Sequence, residues 1–432
     1  MHRRRAVVVV LSLVAPVVPS LAAPPAGAAS WVVDRVRFEP VDDPTAGTDV
    51  LGVGSYRGAI EVVRSTGGLG VVNDLHLEDY LKGISEVPVS WPAEAQRAQA
   101  IAARTFALNQ MQRTDATPHR AVGAHLCATD SCQVYRGLEK ERREGADAWV
   151  AAVEATAGQA ILNRSQPILA KYSSSNGGRS VAGGHAYLRA VDDKDDAASP
   201  LHRWSTAIPL SSLARLFPLP GPLRSAAWSG DAVVLAWADE SEDQGQASVA
   251  VEEFRARVNA GVPAADGLPV ALPSAQFSVS TPDGADHATF DGRGWGHGVG
   301  MSQYGALGKA RRGLKAPEIL AAYYGGLRPA RLAPDQAEVS VRVAVAMDHG
   351  AVTVVPSTPV RVVDGDGNLL AVEASGAWVI RSARGGKVQV APPRDQGGPL
   401  ELLSVVVDPD RPGAGAELAL LVRLNLPAVL RV

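Results

Sequence analysis

The feature that most restricts the fold is an alternation of glycines near residue 300, in "GRGWGHGVGMSQYGALG" at 292–308. Every second residue from 292 to 300 is glycine, and Trp295 and His297 lie between them. Glycine permits close backbone approaches that a side chain would block. The stretch therefore predicts either a hairpin packed tightly against a neighbouring strand or a loop that presents two rings to a ligand. Its spacing matches neither a dinucleotide fingerprint nor a P-loop, which argues against nucleotide binding.

The first 28 residues have the organisation of a secretory signal peptide. Three arginines at 3–5 precede a short, proline-broken apolar segment, and small residues at 26–28 form a cleavage site. We therefore expect an exported protein, secreted or in the cell envelope, with no membrane span after cleavage. The whole chain carries a net charge of −3, and loss of the leader removes three arginines and no acid. The acidic product is not expected to bind nucleic acid or an anionic wall through bulk charge.

The remaining chain mixes strand and helix patterns and predicts an α+β fold. Its most regular helix is alanine-rich and covers 90–112, with Ser90 as the N-cap and Pro92 in the first turn. This helix is expected to pack against a β-rich frame. Further segments are read as strands at 31–78, a helix at 144–157, two short strands at 159–172 and a helix near 316–324.

Two boundaries divide the chain into predicted domains. Residues 29–330 are expected to form the main domain, with an irregular insert at about 200–285. From residue 335 the pattern changes to strand runs separated by Gly, Asp and Pro, which predicts a small all-β accessory domain over 335–432.

Glu86 is the best candidate for a catalytic acid. It lies in "GISEVPVSWPAEAQ" (83–96), between the apolar Ile84 and Val87 and next to the fixed bend at Pro88. A single glutamate is usually a solvated surface residue. Apolar neighbours and a rigid bend instead predict a desolvated carboxyl group with a raised pKa, which suits a general acid.

The two cysteines of the chain lie in "AHLCATDSCQVYRG" (124–137). In an exported protein, Cys127 and Cys132 are expected to form a disulfide. The alternative is a zinc site that adds His125 and, less directly, His119 to the two cysteines. The spacing matches no strong zinc pattern, so no cofactor is expected.

A fourth stretch, "KYSSSNGGRS" (171–180), is rich in hydroxyl and amide groups. It is either an ordinary polar turn or a set of hydrogen-bonding groups for sugar hydroxyls. Its serines lack the G-x-S-x-G context, which argues against a serine hydrolase.

Taken together, these stretches resemble the SpoIID/LytB family, named after the stage II sporulation protein D and an amidase enhancer. The resemblance rests on "EDYLKGISEVPVSWPAEAQRAQAIAARTFAL", "CQVYRG", "YSSSNGG" and "GRGWGHGVGMSQYGA" followed by "ILAAYYGG", in the family order over about 31–328. It implies an exported, peptidoglycan-directed protein. The family's sporulation members are lytic transglycosylases that act on glycan strands without stem peptides, and its catalytic glutamate corresponds to Glu86. Zinc ligands known in some members would fall on 125–132, where Ser131 departs from the ligand pattern.

The resemblance also implies roles for the other motifs. Glu86 would act as both acid and base in forming a 1,6-anhydro-muramic acid product, with no second carboxylate. The residues expected to bind the sugar or stabilise the oxocarbenium-like state are Tyr172, Ser173, Ser174, Ser175, Trp295, His297 and Gln303. Two rival hypotheses remain: a non-catalytic module that binds the wall or enhances a partner amidase, and a structural scaffold of the envelope.

Overall fold

The computed structural model describes residues 30–41, 46–238 and 244–393, and the backbone of two strands at 402–407 and 420–424. The predicted leader at 1–28 lies outside these residues. Within them, no helix combines the length and the apolar character needed to cross a membrane. The described chain is α+β, as the sequence predicted.

The described residues of the first half of the chain form ten strands and five helices. The strands are β1 (Trp31–Val33), β2 (Arg35–Pro40), β3 (Thr48–Val50), β4 (Gly54–Tyr56), β5 (Ala59–Arg64), β6 (Leu69–His76), β7 (Leu126–Cys127), β8 (Gln159–Asn163), β9 (Gln166–Pro167) and β10 (Tyr172–Ser173). The helices are α1 (Leu77–Lys82), α2 (Ala93–Met111), α3 (Pro118–Ala121), α4 (Leu138–Glu141) and α5 (Ala146–Ala155).

The second half continues with strands and shorter helices. The strands are β11 (Trp204–Pro209), β12 (Leu223–Ser229), β13 (Ala232–Ala238), β14 (Gln244–Ala250), β15 (Phe277–Ser280), β16 (His287–Gly292), β17 (Met301–Ser302), β18 (Pro329–Arg331), β19 (Ser340–His349), β20 (Ala351–Pro356), β21 (Val360–Asp364), β22 (Leu369–Ala374), β23 (Trp378–Ser382), β24 (Val388–Ala391), β25 (Leu402–Val407) and β26 (Leu420–Leu424). The helices are α6 (Leu210–Leu216), α7 (Val251–Gly261), α8 (Gln303–Arg311), α9 (Ala316–Tyr323) and α10 (Pro334–Ala337), with 3₁₀ turns at Lys194–Ala198 and Arg384–Gly386.

Two large sheets form the β-rich frame, and each combines strands from both ends of the chain. The seven-stranded sheet has the order β22-β21-β2-β5-β6-β19-β7, and the six-stranded sheet has the order β1-β24-β23-β20-β3-β4. Buried residues from both sheets, including Phe38, Val62, Val343 and Trp378, belong to one hydrophobic core. Each strand buries one face there, because side chains alternate along a strand.

The expected separate β domain over 335–432 is corrected for residues 340–391. Strand β19 pairs antiparallel with β6, with Val341 opposite Leu75, and β24 pairs with β1, with Val390 opposite Trp31. A local pattern of alternating residues does not specify its partner strand, so the change in pattern near residue 335 does not mark a domain boundary. The last strands, β25 and β26, pair with each other.

The alanine-rich helix forms as expected, with a different start. Helix α2 begins at Ala93 with Pro92 at the N-cap, so the exposed Ser90 does not cap it. Small residues let neighbouring elements approach α2 closely, and most of its residues are buried. One side of α2 contributes Ala100 and Ala103 to the core of the frame. Another side packs Ala98 and Ile101 with residues of α8 and α9, such as Leu320.

The insert predicted at about 200–285 is a compact unit with a hydrophobic core of its own. It contains two three-stranded sheets, β11-β16-β15 and β12-β13-β14, with helices α6 and α7. Phe254, Phe277 and Phe290 pack together at its centre. Strand β16 leads directly into the glycine-rich loop, so the insert orients that loop from one side.

Candidate active site

Glu86 lies in the bend between α1 and α2, and main-chain bonds hold that bend in place. The amide of Ser85 donates to the carbonyl oxygen of Val134 at 2.8 Å, and the amide of Val134 donates to the Glu86 carboxylate at 2.7 Å. On the other side, the Gln96 amide Nε2 donates to the carbonyl oxygens of Val89 and Trp91 at 3.0 and 2.7 Å. The carboxylate therefore has a fixed direction.

The surroundings of Glu86 favour its neutral form. Burial raises the pKa of Glu86, and the charge of the exposed Asp130 raises it further. Hydrogen bonds from the Val134 amide, Gln303 and Tyr172 act in the opposite direction and lower the pKa without cancelling the effect of burial. A carboxyl group of this kind can hold a proton at higher pH than an ordinary glutamate, and it can donate that proton to a bound molecule.

A relay of buried side chains orients Tyr172 beside Glu86. The Tyr80 hydroxyl donates to Gln133 Oε1 at 2.9 Å, and Gln133 Nε2 donates to the Tyr172 hydroxyl oxygen at 2.8 Å. Gln133 has no exposed surface. Burial and the nearby charge of Glu86 raise the pKa of Tyr172 well above its usual value, so its phenol stays protonated. The Tyr172 hydroxyl can then donate its own proton towards the carboxylate.

The glycine-rich loop packs against the segment that carries Tyr172. The amide of Trp295 donates to the Ser175 carbonyl oxygen at 2.9 Å, and the Ser175 amide donates back at 3.1 Å. Gly300 has a φ of +74°, and a Cβ there would lie 2.0 Å from the carbonyl oxygen of Lys171. The alternating glycines thus allow a close packing of backbone on backbone, while Trp295 and His297 remain exposed.

His297 and Trp295 are the two rings that the loop presents to solvent. Trp295 has 38% of its surface exposed. The Val299 amide donates to His297 Nδ1 at 2.9 Å, which fixes the ring. Although part of the His297 ring is exposed, the surrounding protein partly desolvates the imidazole, and this desolvation, with smaller contributions from the positive charges of Lys171 and Arg255, lowers the pKa of His297 to about 4. His297 is therefore neutral at physiological pH.

The three serines of the "YSSSNGG" turn have different environments. The Ser175 hydroxyl is fully buried and donates to Asp196 at 2.8 Å, which does not fit the expected role in sugar binding. The buried Ser173 hydroxyl accepts the Gly298 amide at 3.2 Å. Ser174 is partly exposed, and its carbonyl oxygen accepts the Tyr304 amide at 3.0 Å. Two of the three serines thus hold the loop in position.

A buried acidic pair ties these segments together, and sequence reasoning missed it. Asp196 accepts hydrogen bonds from Ser175, the Asn176 amide, Ser302 and His202 at distances of 2.6–2.9 Å. Asp193 accepts bonds from Asn176, Lys309 and Tyr323. Both aspartates lie in "VDDKDDAASP" (191–200), a run that resembles a solvated acidic turn. No local signal in that run distinguishes the buried aspartates from the exposed ones.

The acids that precede Glu86 in sequence are directed elsewhere. The Glu78 carboxylate binds the buried Arg104 through two nitrogens, at 2.8 and 2.6 Å. Asp79 pairs with Lys82 at 3.1 Å. Asp130, in the loop between the cysteines, instead lies close enough to influence Glu86, and the sequence analysis did not single it out.

The structure joins Cys127 and Cys132 in a disulfide. His119, not His125, completes the only group of three potential metal ligands found among the described residues, with donor atoms within 4.8 Å of one another. His125 accepts the Arg342 amide through Nδ1 at 3.1 Å and is absent from that group. A disulfide offers no thiolate, so in this form the residues do not fit a zinc ion.

Known proteins are similar to this chain in the segments that carry Glu86 and the cysteines. Residues 65–162, which contain Glu86, α2 and both cysteines, match the model of SpoIID, the stage II sporulation protein. The stage II sporulation protein D of Bacillus subtilis (strain 168) is 28% identical over 270 residues, which cover 59% of this chain and 74% of that protein. The resemblance to the SpoIID family is thereby confirmed.

Other relatives extend the comparison. The stage II sporulation protein D of Bacillus amyloliquefaciens is 29% identical over 268 residues, covering 59% of this chain and 74% of that protein. The amidase enhancer of Bacillus subtilis (strain 168) is 28% identical over 295 residues, or 57% of this chain. The match spans only 39% of that enhancer. The SpoIID segment at 65–162 holds Glu86 and its Val134 contact, whereas Tyr172 and the glycine-rich loop lie outside it.

Proposed function

We propose that this protein is an exported peptidoglycan lytic transglycosylase. Its substrate is the glycan strand of peptidoglycan without stem peptides, and its product carries a 1,6-anhydro-muramic acid end. The match to the model of the stage II sporulation protein, and the similarity to proteins named amidase enhancer and stage II sporulation protein D, support a role at the cell wall. Export is inferred from the leader-like first 28 residues.

One observation carries the proposal: a single desolvated carboxyl group, with a raised pKa, is held in a fixed direction by the Val134 amide. A general acid must be protonated before the reaction and must point at the group that it protonates. The raised pKa of Glu86 favours the first requirement, and the hydrogen bond from Val134 gives the carboxyl group the fixed direction that the second one needs. Its neighbours Gln303 and Tyr172 favour the carboxylate that forms after proton transfer.

The mechanism needs one carboxyl group and no water. Glu86 donates its proton to the oxygen of the glycosidic bond as the bond to the anomeric carbon of muramic acid breaks. The 6-hydroxyl oxygen of the same muramic acid then forms a bond to that carbon. The hydroxyl proton passes to the Glu86 carboxylate, which restores the starting acid. We assign the orientation of the sugar to the neutral His297 and to Tyr172, whose hydroxyl forms a hydrogen bond with Glu86.

A hydrolase would need a second carboxylate, which activates water or attacks the sugar. Glu78 and Asp79 are held by Arg104 and Lys82, so neither is a good candidate. Asp130 is the acid whose charge acts on Glu86, and it would be the second group in such a mechanism.

A second function, enhancement of a cell-wall amidase, is favoured by the similarity to the protein named amidase enhancer. In that case the surface around Glu86 binds glycan and recruits or positions the amidase, and Glu86 performs no chemistry. The two functions predict different effects of Glu86→Gln, a substitution that removes the acidic proton: the transglycosylase would lose activity, and the amidase enhancer would keep it.

The test incubates the exported protein with peptide-free glycan strands and, separately, with intact sacculi. Products are read by mass spectrometry for wild type, Glu86→Gln and Asp130→Asn. The proposal expects anhydro-ended fragments from wild type and from Asp130→Asn, and a loss of about 10²- to 10⁴-fold in Glu86→Gln. Reducing-end fragments that require Asp130 would establish a hydrolase. Glycan binding without cleavage by any of the three proteins would support the amidase-enhancing function.

A further inference from the structure

Two positively charged side chains approach the glycine-rich loop from different elements. Arg255 extends from α7 of the insert, and its Nε and Nη2 donate to the carbonyl oxygens of Leu272 and Pro273, both at 3.0 Å. The Pro273 carbonyl oxygen also accepts the Gly296 amide at 3.0 Å. One carbonyl oxygen therefore binds both the guanidinium of Arg255 and the residue that precedes His297.

Lys171, the residue immediately before Tyr172, contacts the same loop through its backbone. Its carbonyl oxygen accepts the Met301 amide at 3.1 Å and the Tyr324 hydroxyl at 2.9 Å, so its backbone is fixed beneath the loop. The backbone contacts place both residues against the loop, Arg255 through the Pro273 carbonyl oxygen and Lys171 through the Met301 amide, and the positive charges of both lower the pKa of His297. Lys171 also directly precedes Tyr172, whose hydroxyl forms a hydrogen bond with Glu86.

Neither cation has a tightly bound acid among the described residues. Arg255 forms one loose ion pair, with a Glu252 carboxylate oxygen 3.9 Å from Nη1, and 68% of the Glu252 side chain is exposed. Lys171 forms no salt bridge within the described part of the chain. Asp130 contributes a negative charge at longer range to both Arg255 and Glu86. Arg255 uses two of its five N–H groups on carbonyl oxygens, and a planar guanidinium held in this way can bind a carboxylate through the others.

We propose that Arg255 and Lys171 form a subsite for the free lactyl carboxylate of muramic acid. The inference rests on the proposed function and adds to it the residues that select the type of glycan strand. The lactyl carboxyl group of muramic acid is an anion when no peptide is attached, and it becomes a neutral amide when a stem peptide is present. Two cations without a tightly bound acid bind the carboxylate form more tightly than the amide form. The insert that carries Arg255 thereby makes the site selective for peptide-free strands.

The test measures binding by calorimetry in the Glu86→Gln background, so that no cleavage is required. The two ligands are a peptide-free tetrasaccharide with free lactyl carboxylates and the same tetrasaccharide with each lactyl group converted to a methylamide. We expect about tenfold tighter binding of the carboxylate form, as for one charged hydrogen-bonding contact. Arg255→Gln and Lys171→Gln should each reduce this preference, and the double substitution should abolish it.

Arg257→Gln is the matched control, because Arg257 lies on the same helix but pairs with the exposed Glu253 and packs over Phe217. It should leave the preference unchanged, and thermal melts should show that all variants are folded. Equal binding of the two sugars by the parent, no binding of either, or an undiminished preference in the double variant would overturn the subsite.

A third ligand separates the lactyl carboxylate from the carboxylates of a stem peptide. A strand with its peptide attached should bind as weakly as the methylamide. Arg255-dependent binding of that strand as tight as that of the peptide-free one would overturn the assignment. If wild-type protein forms no anhydro ends while the carboxylate preference remains, the transglycosylase proposal fails and the subsite stands.

Discussion

The amide of Val134 donates a 2.7 Å hydrogen bond to the carboxylate of Glu86, across 48 residues of sequence. The strand-like segment that carries Val134 directly follows the disulfide loop, so the direction of the proposed acid depends on a covalent constraint nearby. The same segment supplies Gln133, which orients Tyr172. Glu86, Tyr172 and the disulfide loop are thus parts of one arrangement.

Glu86→Gln should stabilise the fold at neutral pH. Burial raises the folded-state pKa of Glu86 above its ordinary value of 4.5, so ionising the group costs more in the folded than in the unfolded protein. The resulting penalty to folding is absent well below pH 4.5, where both states are protonated, grows as the pH rises from 4.5 to the folded-state pKa, and is complete above it. The variant should melt higher than wild type at pH 7 by calorimetry, and this difference should shrink on acidification towards pH 4. A lower melting temperature at pH 7 would contradict the desolvation of Glu86.

Tyr172→Phe should shift the pH dependence of glycan cleavage. The protonated form of Glu86 starts the proposed reaction, so kcat falls as the pH rises through the pKa of Glu86. The Tyr172 hydrogen bond lowers that pKa, and its removal should move the alkaline limb to higher pH even if the maximal rate decreases.

Tyr324→Phe is the control for this shift, because the Tyr324 hydroxyl binds the Lys171 carbonyl oxygen and makes no contribution to the pKa of Glu86. Its alkaline limb should coincide with that of wild type. An unchanged alkaline limb in Tyr172→Phe would show that the Tyr172 hydroxyl does not form a hydrogen bond with Glu86.

The double substitution Cys127→Ser/Cys132→Ser should lower both stability and activity. Loss of a short disulfide loop costs about 2 kcal/mol in the free energy of unfolding. The loss also loosens the segment that orients Glu86 through Val134. Chemical denaturation and cleavage assays measure the two effects, and alkylation of wild type only after reduction verifies the bond. Unchanged stability on reduction, together with stoichiometric zinc in the purified protein, would favour a metal site with His119.

Asp196→Ala should lower the free energy of unfolding more than the substitution of an exposed acid does. Its buried carboxylate accepts four hydrogen bonds, and removal leaves Ser175 and Ser302 without their partner at a cost of about 3 kcal/mol. Asp192→Ala is the matched control, since Asp192 is exposed and pairs only with the exposed Arg179, so about 0.5 kcal/mol is expected. Urea denaturation compares them, and equal losses would show that the Asp196 cluster does not hold the loop.

Sequence reasoning was most informative where several local signals coincide. The bend at Glu86, helix α2 and the glycine-rich loop each combine a motif with Pro or Gly at positions that restrict the backbone, and the structure has all three. Sequence reasoning was least informative about which strands pair with each other. The alternation in β19 to β24 predicted strands correctly and their domain wrongly, because a strand pattern states which face is buried and not which strand lies beside it.

The sequence by itself determined the α+β class, the bend that carries Glu86 and the glycine positions that let a loop pack on backbone. Only the tertiary structure decided which groups meet there. Three examples are Gln133, Asp196 and Arg255, which lie in three unrelated segments of the sequence. Each acquires its role from contacts with residues that are distant in sequence. Local propensities depend on neighbouring residues, whereas burial and pKa depend on whatever the fold brings alongside. The same difference explains why Asp196 is a buried anchor, although the exposed Asp192 is found in the same acidic run.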